Sequence, residues 1–448
     1  MLRLRLCTDR APSSPFRETT IFRGSAVDVP RNLVTPFIKA QVRNRACLGD
    51  PFATGLALAG YWDTADGYGQ STNLYAKMLL ERGINVVPYW HPMNPFNDLA
   101  CSDDPKIRAL GEKEPKYLPQ IALSITIPED LYICPPAPCL VSMSMWETDR
   151  LPSGRADLFD PFDMVLVPSE FCRQAFLVSG VKTPIRVCPL PLNPMYAPKG
   201  RWTIPSRDEP YRFLFVSTPI MRKGIEVLVA AFQKAFPTSD FSRRNVRLHI
   251  HSRRWSAAPS LVEEEVRKMV DADKRISQST KRISDAALLE LYGKHHCMVH
   301  AAKGEGFGLT VAQSMAMGQP VIAPASTGMA DFVTPETAGV VDVEKWVHPT
   351  EDGFYNRSTQ GHWAVPSVDS LAARMREAYD QRRMYVLRAE KASKKVWAVY
   401  NPRAATSSLV QCLTEAWRAA ESRTLGQMAE QDRRLRGNGH VVKEVKAR

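Results

Sequence analysis

Nowhere in the chain is there a run of about 18 apolar residues, so no segment reads as a helix able to span a bilayer. The opening MLRLRLCTDRAPSS contains arginines but no apolar stretch of signal-peptide length. The nine cysteines are scattered, odd in number and never spaced Cys-x-x-Cys, which argues against a disulfide framework and against a zinc knuckle. These absences lead to the expectation of a soluble, cytoplasmic protein. An acidic balance is missing too: 59 Lys and Arg stand against 47 Asp and Glu, a net charge of +12. Residues 1–50 hold nine basic against four acidic residues and residues 421–448 seven against four, so the two ends carry most of the excess. That distribution suits solvated tails on a near-neutral body better than a docking surface for nucleic acid or membrane.

What is present is length and apolar content. At 448 residues and 44% hydrophobic, the chain can build two domains, each with its own core. After an irregular first 50 residues, GLALAGYW (55–62) reads as a buried strand of a parallel sheet. The loop DTADGYGQSTN follows, then a helix, LYAKMLLERG, with Leu74, Met78 and Leu79 on one face and Gly83 suited to a left-handed cap. INVVPYW is the next strand, completing a βαβ unit. CLVSMSMW (139–146) and MVLVP (164–168) are further strands, the latter leading through Ser169 into a helix. YAPKGRWTIPSRDEP (196–210) has the proline and charge of an interdomain linker.

A second α/β set then begins with RFLFVS (212–217), and Ile225, Leu228, Val229 and Phe232 follow at helical spacing. VRLHIHS (246–252), the helix ISDAALLELYGKH (283–295), CMVHAA (297–302) and PVIAP (320–324) continue the alternation. The expected organisation is a basic N-terminal extension (1–50), a first α/β domain (51–197), a linker (198–210), a second α/β domain (211–385), C-terminal helices (386–420) and a flexible basic tail (421–448).

The most informative run is EGFGLTVAQSMAMGQPVI, residues 305–322. Gly306 and Gly308 permit a tight turn and close approach of a ligand to the backbone, and the helix that follows presents free amides at its start. Such a start is an anion site suited to a diphosphate. Gln313 lies one turn in from Leu309, and helical side chains lean toward the N-terminus, so its amide can reach back beside that anion. Glu305 stands on the other side of the turn. A phosphate cradle flanked by two hydroxyl-binding groups matches the parts of a nucleotide sugar.

This run resembles the signature of GT-B glycosyltransferases of the family-4 type (glycosyl transferases group 1), which are retaining enzymes. Their Glu-x7-Glu motif reads E-G-F-G-L, three variable residues, then E-A-M-A-x-G-x-P-V-I. EGFGL, MAMGQPVI and the spacing match; Gln313 replaces the second glutamate. The resemblance implies that Glu305 contacts the donor sugar, that Gln313 takes the place of the ribose-contacting residue, and that Gly306, Phe307, Gly308, Leu309 and Thr310 line the donor site. RKGIEVLVAAF (222–232) is similar to the family's Lys-Gly helix start, which puts Lys223 on the lysine that neutralises the diphosphate. The Gly-Arg pair often found five residues earlier is replaced by Ser217 and Thr218, leaving Arg222 as the candidate second cation. Gly67 and Gly69 correspond to the loop beneath the donor phosphates. WETDRLP (146–152), VPSEFCRQAFLVSGV (167–181), VCPLPLN (187–193) and GHWAVPSVDSL (361–371) also look like family segments, so the resemblance spans roughly 55–415. The implied fold is α/β, GT-B: two Rossmann-like domains facing a cleft, with C-terminal helices returning to the first.

Glu147 and Asp149 sit just past a strand end, where ligands of open α/β sheets gather, and are candidates for orienting the acceptor hydroxyl; pairing with Arg150 is the structural alternative. His295, His296, Cys297 and His300 invite a metal reading, but their places on a helix end and a strand make convergence improbable. His249 and His251 read as one polar face of a strand. CSDDP (101–105) superficially suggests an Asp-x-Asp metal site without the strand such a site needs. The expected activity is sugar transfer from a nucleoside diphosphate sugar to an acceptor hydroxyl, without cofactor or metal. The acceptor is open: a glycan, a small molecule or, given the basic ends, a modified base in nucleic acid. A non-catalytic nucleotide-sugar-binding protein is the alternative of another class.

Overall fold

The computed structural model describes residues 49–62, 67–89, 105–112, 119–135, 137–200, 202–240, 245–252, 261–349 and 360–445. All but the last two residues of the expected N-terminal extension lie outside these, as do 101–104 of CSDDP. Two six-stranded sheets dominate. The first contains β1 (Leu56–Gly60), β2 (Val86–Tyr89), β3 (Ile121–Ile125), β4 (Cys139–Met143), β5 (Met164–Val167) and β6 (Ile185–Val187), in the order β2-β1-β3-β4-β5-β6. β1, β3, β4 and β5 are buried along their whole length, which is why their sequences run apolar instead of alternating.

The second sheet contains β7 (Tyr211–Ser217), β8 (Val246–Ser252), β9 (Ile276–Ser279), β10 (Cys297–Val299), β11 (Val321–Pro324) and β12 (Gly339–Val341). Its order is β12-β11-β10-β7-β8-β9, with β10 parallel to β7 through Cys297 opposite Phe213 and Met298 opposite Leu214. The chain therefore moves outward from β7 in one direction and, from β10, in the other. β7 and β10 flank the switch point of the sheet, and the carboxyl ends of strands at such a point are the usual ligand position in open α/β sheets. A hairpin, β13 (Val343–Val347) with β14 (Trp363–Pro366), follows.

The chain divides into two compact units, one made from 1–126, 130–141 and 413–448 and the other from 127–129 and 142–412. Residues 198–210, expected as a linker, thus lie inside the second unit, where the buried Arg382 donates to the carbonyls of Pro205 and Ser206 and stacks on Tyr211 and Tyr379. Residues 421–445, expected to fray, continue the long helix Pro402–Val445. In the second unit, Phe213, Phe215, Leu228, Phe232, Leu248 and Ile250 form a core in which the helix Ile225–Ala235 packs against the helix Val368–Asp380, which also lies on β11 and β12. Serines begin several helices as the capping rule demands: Ser169 accepts from the Cys172 amide, Ser284 from Ala287 and Ser367 from Ser370.

Candidate active site

Two loops at the switch point of the second sheet bring the charged residues together. From β7 the chain runs through a short 3-10 turn, Met221–Lys223, to Gly224, whose φ of 64° begins the helix Ile225–Ala235. A Cβ at Gly224 would lie 2.1 Å from the Ala301 carbonyl oxygen, so only glycine lets this turn press against the loop leaving β10. That loop carries His300 and Glu305, and the Lys303 amide donates to the Arg222 carbonyl at 2.8 Å, tying the two loops edge to edge.

Glu305 is the centre of the resulting cluster and only 8% exposed. Its Oε1 accepts from Lys223 Nζ at 2.5 Å and faces His300 Nε2 at 3.0 Å. Its Oε2 has a longer contact, 3.5 Å, with Arg222 Nη1. Burial opposes the carboxylate charge, but Lys223, the hydrogen bond from His300 and Arg222 outweigh it, and Glu305 is held well below the ordinary carboxylate range. Burial, then repulsion from Arg222, lowers the Lys223 pKa against the pull of Glu305. His300, 1% exposed and stacked on Phe215, is also pushed down by burial. A neutral imidazole facing a carboxylate must carry its proton on Nε2, which leaves Nδ1 as an acceptor; that buried atom has no partner among the described residues, nor has Ser217 Oγ at the end of β7. Buried polar atoms without partners at a strand end are places for a ligand or ordered water.

Arg222 is occupied differently from Lys223. It is buried, donates to the Gly304 carbonyl at 2.5 Å and approaches Glu147 Oε1 at 3.4 Å, so it joins the loop after β4 to the Glu305 loop. Glu147 is thereby brought to the cluster. Asp149 is not: its carboxylate accepts from the His362 amide at 2.7 Å and faces the His362 ring at 3.4 Å. Arg150 pairs with neither, donating instead to the Val178 carbonyl.

The turn around Glu305 is packed as tightly as its sequence suggests. A Cβ at Gly304 would meet the Glu147 carbonyl at 2.1 Å, and one at Gly306 would meet Met145 at 2.8 Å. The Gly306 carbonyl accepts from Ser169 Oγ at 2.7 Å. Gly308, with φ 93°, begins the helix Leu309–Ala316, and no side chain caps its first turn. The amides there, beside the half-buried Leu309 and Thr310, are left for an anion. Phe307 packs in an aromatic cluster with Phe332 and Tyr400. Gln313, 1% exposed, accepts from the Tyr292 hydroxyl at 3.3 Å. Gly67 and Gly69 belong to the other unit, where they open the helix Gly67–Glu81 instead of lying in a loop.

The four residues of the supposed metal cluster separate. His295 Nδ1 lies against the Leu291 carbonyl, His296 Nδ1 accepts from the Arg212 amide, Cys297 sits in the strand, and His300 joins Glu305. No group of three or more His, Cys, Asp or Glu among the described residues could hold a metal ion. His249 and His251 lie against Ser277 and Ser279 of the neighbouring strand, as a polar strand face should. From sequence, His300 was weighed only as part of an improbable metal cluster and not linked to Glu305; the signal was its position just beyond β10, five residues before Glu305.

Residues 210–352 match the family model described as Glycosyl transferases group 1. No curated protein matches the sequence. Among solved structures, sucrose-phosphate synthase of Thermosynechococcus elongatus aligns with a TM-score of 0.59 at 18% identity, over 82% of this chain and 100% of that one. A glycosyltransferase from Rickettsia africae ESF-5 gives 0.59 at 16% identity, over 81% and 98%. HepE of Anabaena, solved in complex with UDP-glucose, gives 0.54 at 13% identity, over 80% and 99%. The chain has the GT-B fold, carries a group 1 glycosyltransferase domain, and is a glycosyltransferase.

Proposed function

We propose that this group 1 glycosyltransferase moves a sugar from a nucleoside diphosphate sugar to an acceptor hydroxyl with retention at the anomeric carbon. The observation that carries the reading is the buried Glu305–Lys223 pair beside an uncapped helix start. Lys223 and the amides at Leu309 and Thr310 would hold the diphosphate and stabilise the charge that develops on it as the glycosidic bond breaks. Glu305 keeps one oxygen saturated by Lys223 and His300 and the other only loosely held, so Oε2 is the atom offered to a sugar hydroxyl. Gln313 would contact the ribose through its amide. Glu147, held by Arg222, would orient the acceptor, and Asp149 braces the loop at His362.

A UDP-sugar is the first donor to try, because HepE, of the same fold, is solved with UDP-glucose. Incubation with a panel of nucleotide sugars and an acceptor library, with the product anomer read by NMR, tests the proposal. Transfer with retained configuration is expected, and inversion would reject the retaining assignment.

A further inference from the structure

Thr327 stands where the backbone should not favour it. Its φ is 53°, and among the described residues it is the only one other than glycine with a positive φ. For a β-branched residue this left-handed conformation is strained, and strain of that kind persists only where its surroundings impose it. The surroundings here are Glu305. Thr327 Oγ1 accepts from the Glu305 amide at 3.1 Å, and the next residue, Gly328, donates its amide to the Glu305 carbonyl at 2.7 Å. Both backbone groups of Glu305 are therefore fixed by one dipeptide. The fit leaves no room: a Cβ at Gly328 would come within 2.2 Å of the Gly306 carbonyl oxygen. Thr327 is 3% exposed, so no solvent replaces its hydroxyl if it is removed.

We infer that Thr327 is a positioning residue of the transfer reaction, holding the Glu305 backbone so that its carboxylate stays on Lys223 and presents Oε2 to the donor sugar. The inference rests on the donor-site reading above. Glycine would relax the left-handed backbone but could not accept the Glu305 amide, while threonine accepts it at the expense of conformational strain. The hydroxyl and the relaxed backbone are thus competing demands on one position, and activity and stability must separate there.

Three variants test this. Thr327→Ser keeps the hydroxyl, Thr327→Ala removes it, and Thr327→Gly removes it and relieves the strain. Thr327→Ser is expected to rescue turnover to within about threefold, and Thr327→Ala and Thr327→Gly to lose about tenfold or more in kcat, the loss of one oriented hydrogen bond. Thr327→Gly should nevertheless melt higher than Thr327→Ala, and UDP should bind all three alike, since in the donor-site reading Glu305 contacts the sugar and not the nucleotide. Alanine or glycine variants within threefold of wild type, or a serine variant as impaired as alanine, would overturn the inference. So would activity that merely tracks melting temperature across the series. Crystal structures of wild type and Thr327→Gly supply an arm independent of turnover. Separation of Glu305 from Lys223 in the variant is expected, and an unmoved carboxylate rejects the role. If no donor is consumed by wild type, the glycosyltransfer reading fails while the crystallographic arm still decides the clamp.

Discussion

Glu305 gathers three nitrogen donors around one buried carboxylate, and its neighbours set what each substitution should do. Glu305→Ala should abolish transfer while leaving UDP affinity close to wild type, which steady-state kinetics and calorimetry separate. Lys223→Ala should weaken donor and free UDP alike, by the roughly 1.5–3 kcal/mol of a charge-assisted contact. Unchanged UDP affinity would remove Lys223 from the phosphate site. The depressed pKa of Glu305 also has a consequence for folding. A carboxylate whose folded pKa lies below its unfolded one stabilises the fold above the unfolded value and loses that contribution as pH falls through the folded pKa. Wild-type melting temperature should therefore drop more steeply below about pH 4.5 than that of Glu305→Gln; parallel curves would contradict the charge balance.

Much of this cluster was legible residue by residue. Glu305 could be placed from its motif, which encodes a strand end, a turn and a helix start; Lys223 came from the family resemblance, and Glu147 was one of two strand-end carboxylates, of which the structure brings only Glu147 to the cluster. Arg222 and Gln313 were less legible. The side chain of Arg222 is held by the Gly304 carbonyl, 82 residues away in sequence, and by Glu147, and Gln313 lies against Tyr292, 21 residues away. If Gln313 does reach the ribose when donor binds, Gln313→Ala should raise the donor KM several-fold. If it only braces Tyr292, the same variant should lower the melting temperature and leave KM unchanged.

At the scale of elements, the site exists because β7 and β10 are neighbours and the chain departs from them in opposite directions. Gly224 makes the contact between their loops possible. Gly224→Ala must force a positive φ on alanine and drive its Cβ toward the Ala301 carbonyl. It should cost at least about 1–2 kcal/mol of stability from the backbone alone and displace Lys223. Denaturant melts and UDP binding check it, and a variant with normal values for both would show that the loops do not depend on this approach. β1 and β5 were readable from their apolar runs and β8 from its alternation. The three-residue β6 and β12, and the polar edge strand β9, were not, because IRV, GVV and ISQS lie in no longer apolar run of the kind that marked β10. The same limit hid the start of Gly67–Glu81: two glycines suggest a loop, yet Asn73 donates to both the Trp62 and Gly69 carbonyls and secures the first turns.

For the whole molecule, two α/β sheets and the group 1 domain give a glycosyltransferase scaffold, and no helix among the described residues is long and apolar enough to cross a membrane. The division into compact units could not be read from a proline-rich stretch, because Arg382 binds that stretch to the second unit through contacts far apart in sequence. In the proposed chemistry, Lys223 and helix amides do for the diphosphate what a metal ion does elsewhere, so turnover should survive EDTA. Loss with chelator and recovery with Mg²⁺ would reject that division of labour. The most direct measurement of the central claim is release of free UDP from UDP-glucose and a panel of other nucleotide sugars, by wild type and Glu305→Ala side by side. One donor consumed by wild type and left intact by Glu305→Ala is the predicted result; consumption of none, or equal consumption by both proteins, would contradict it.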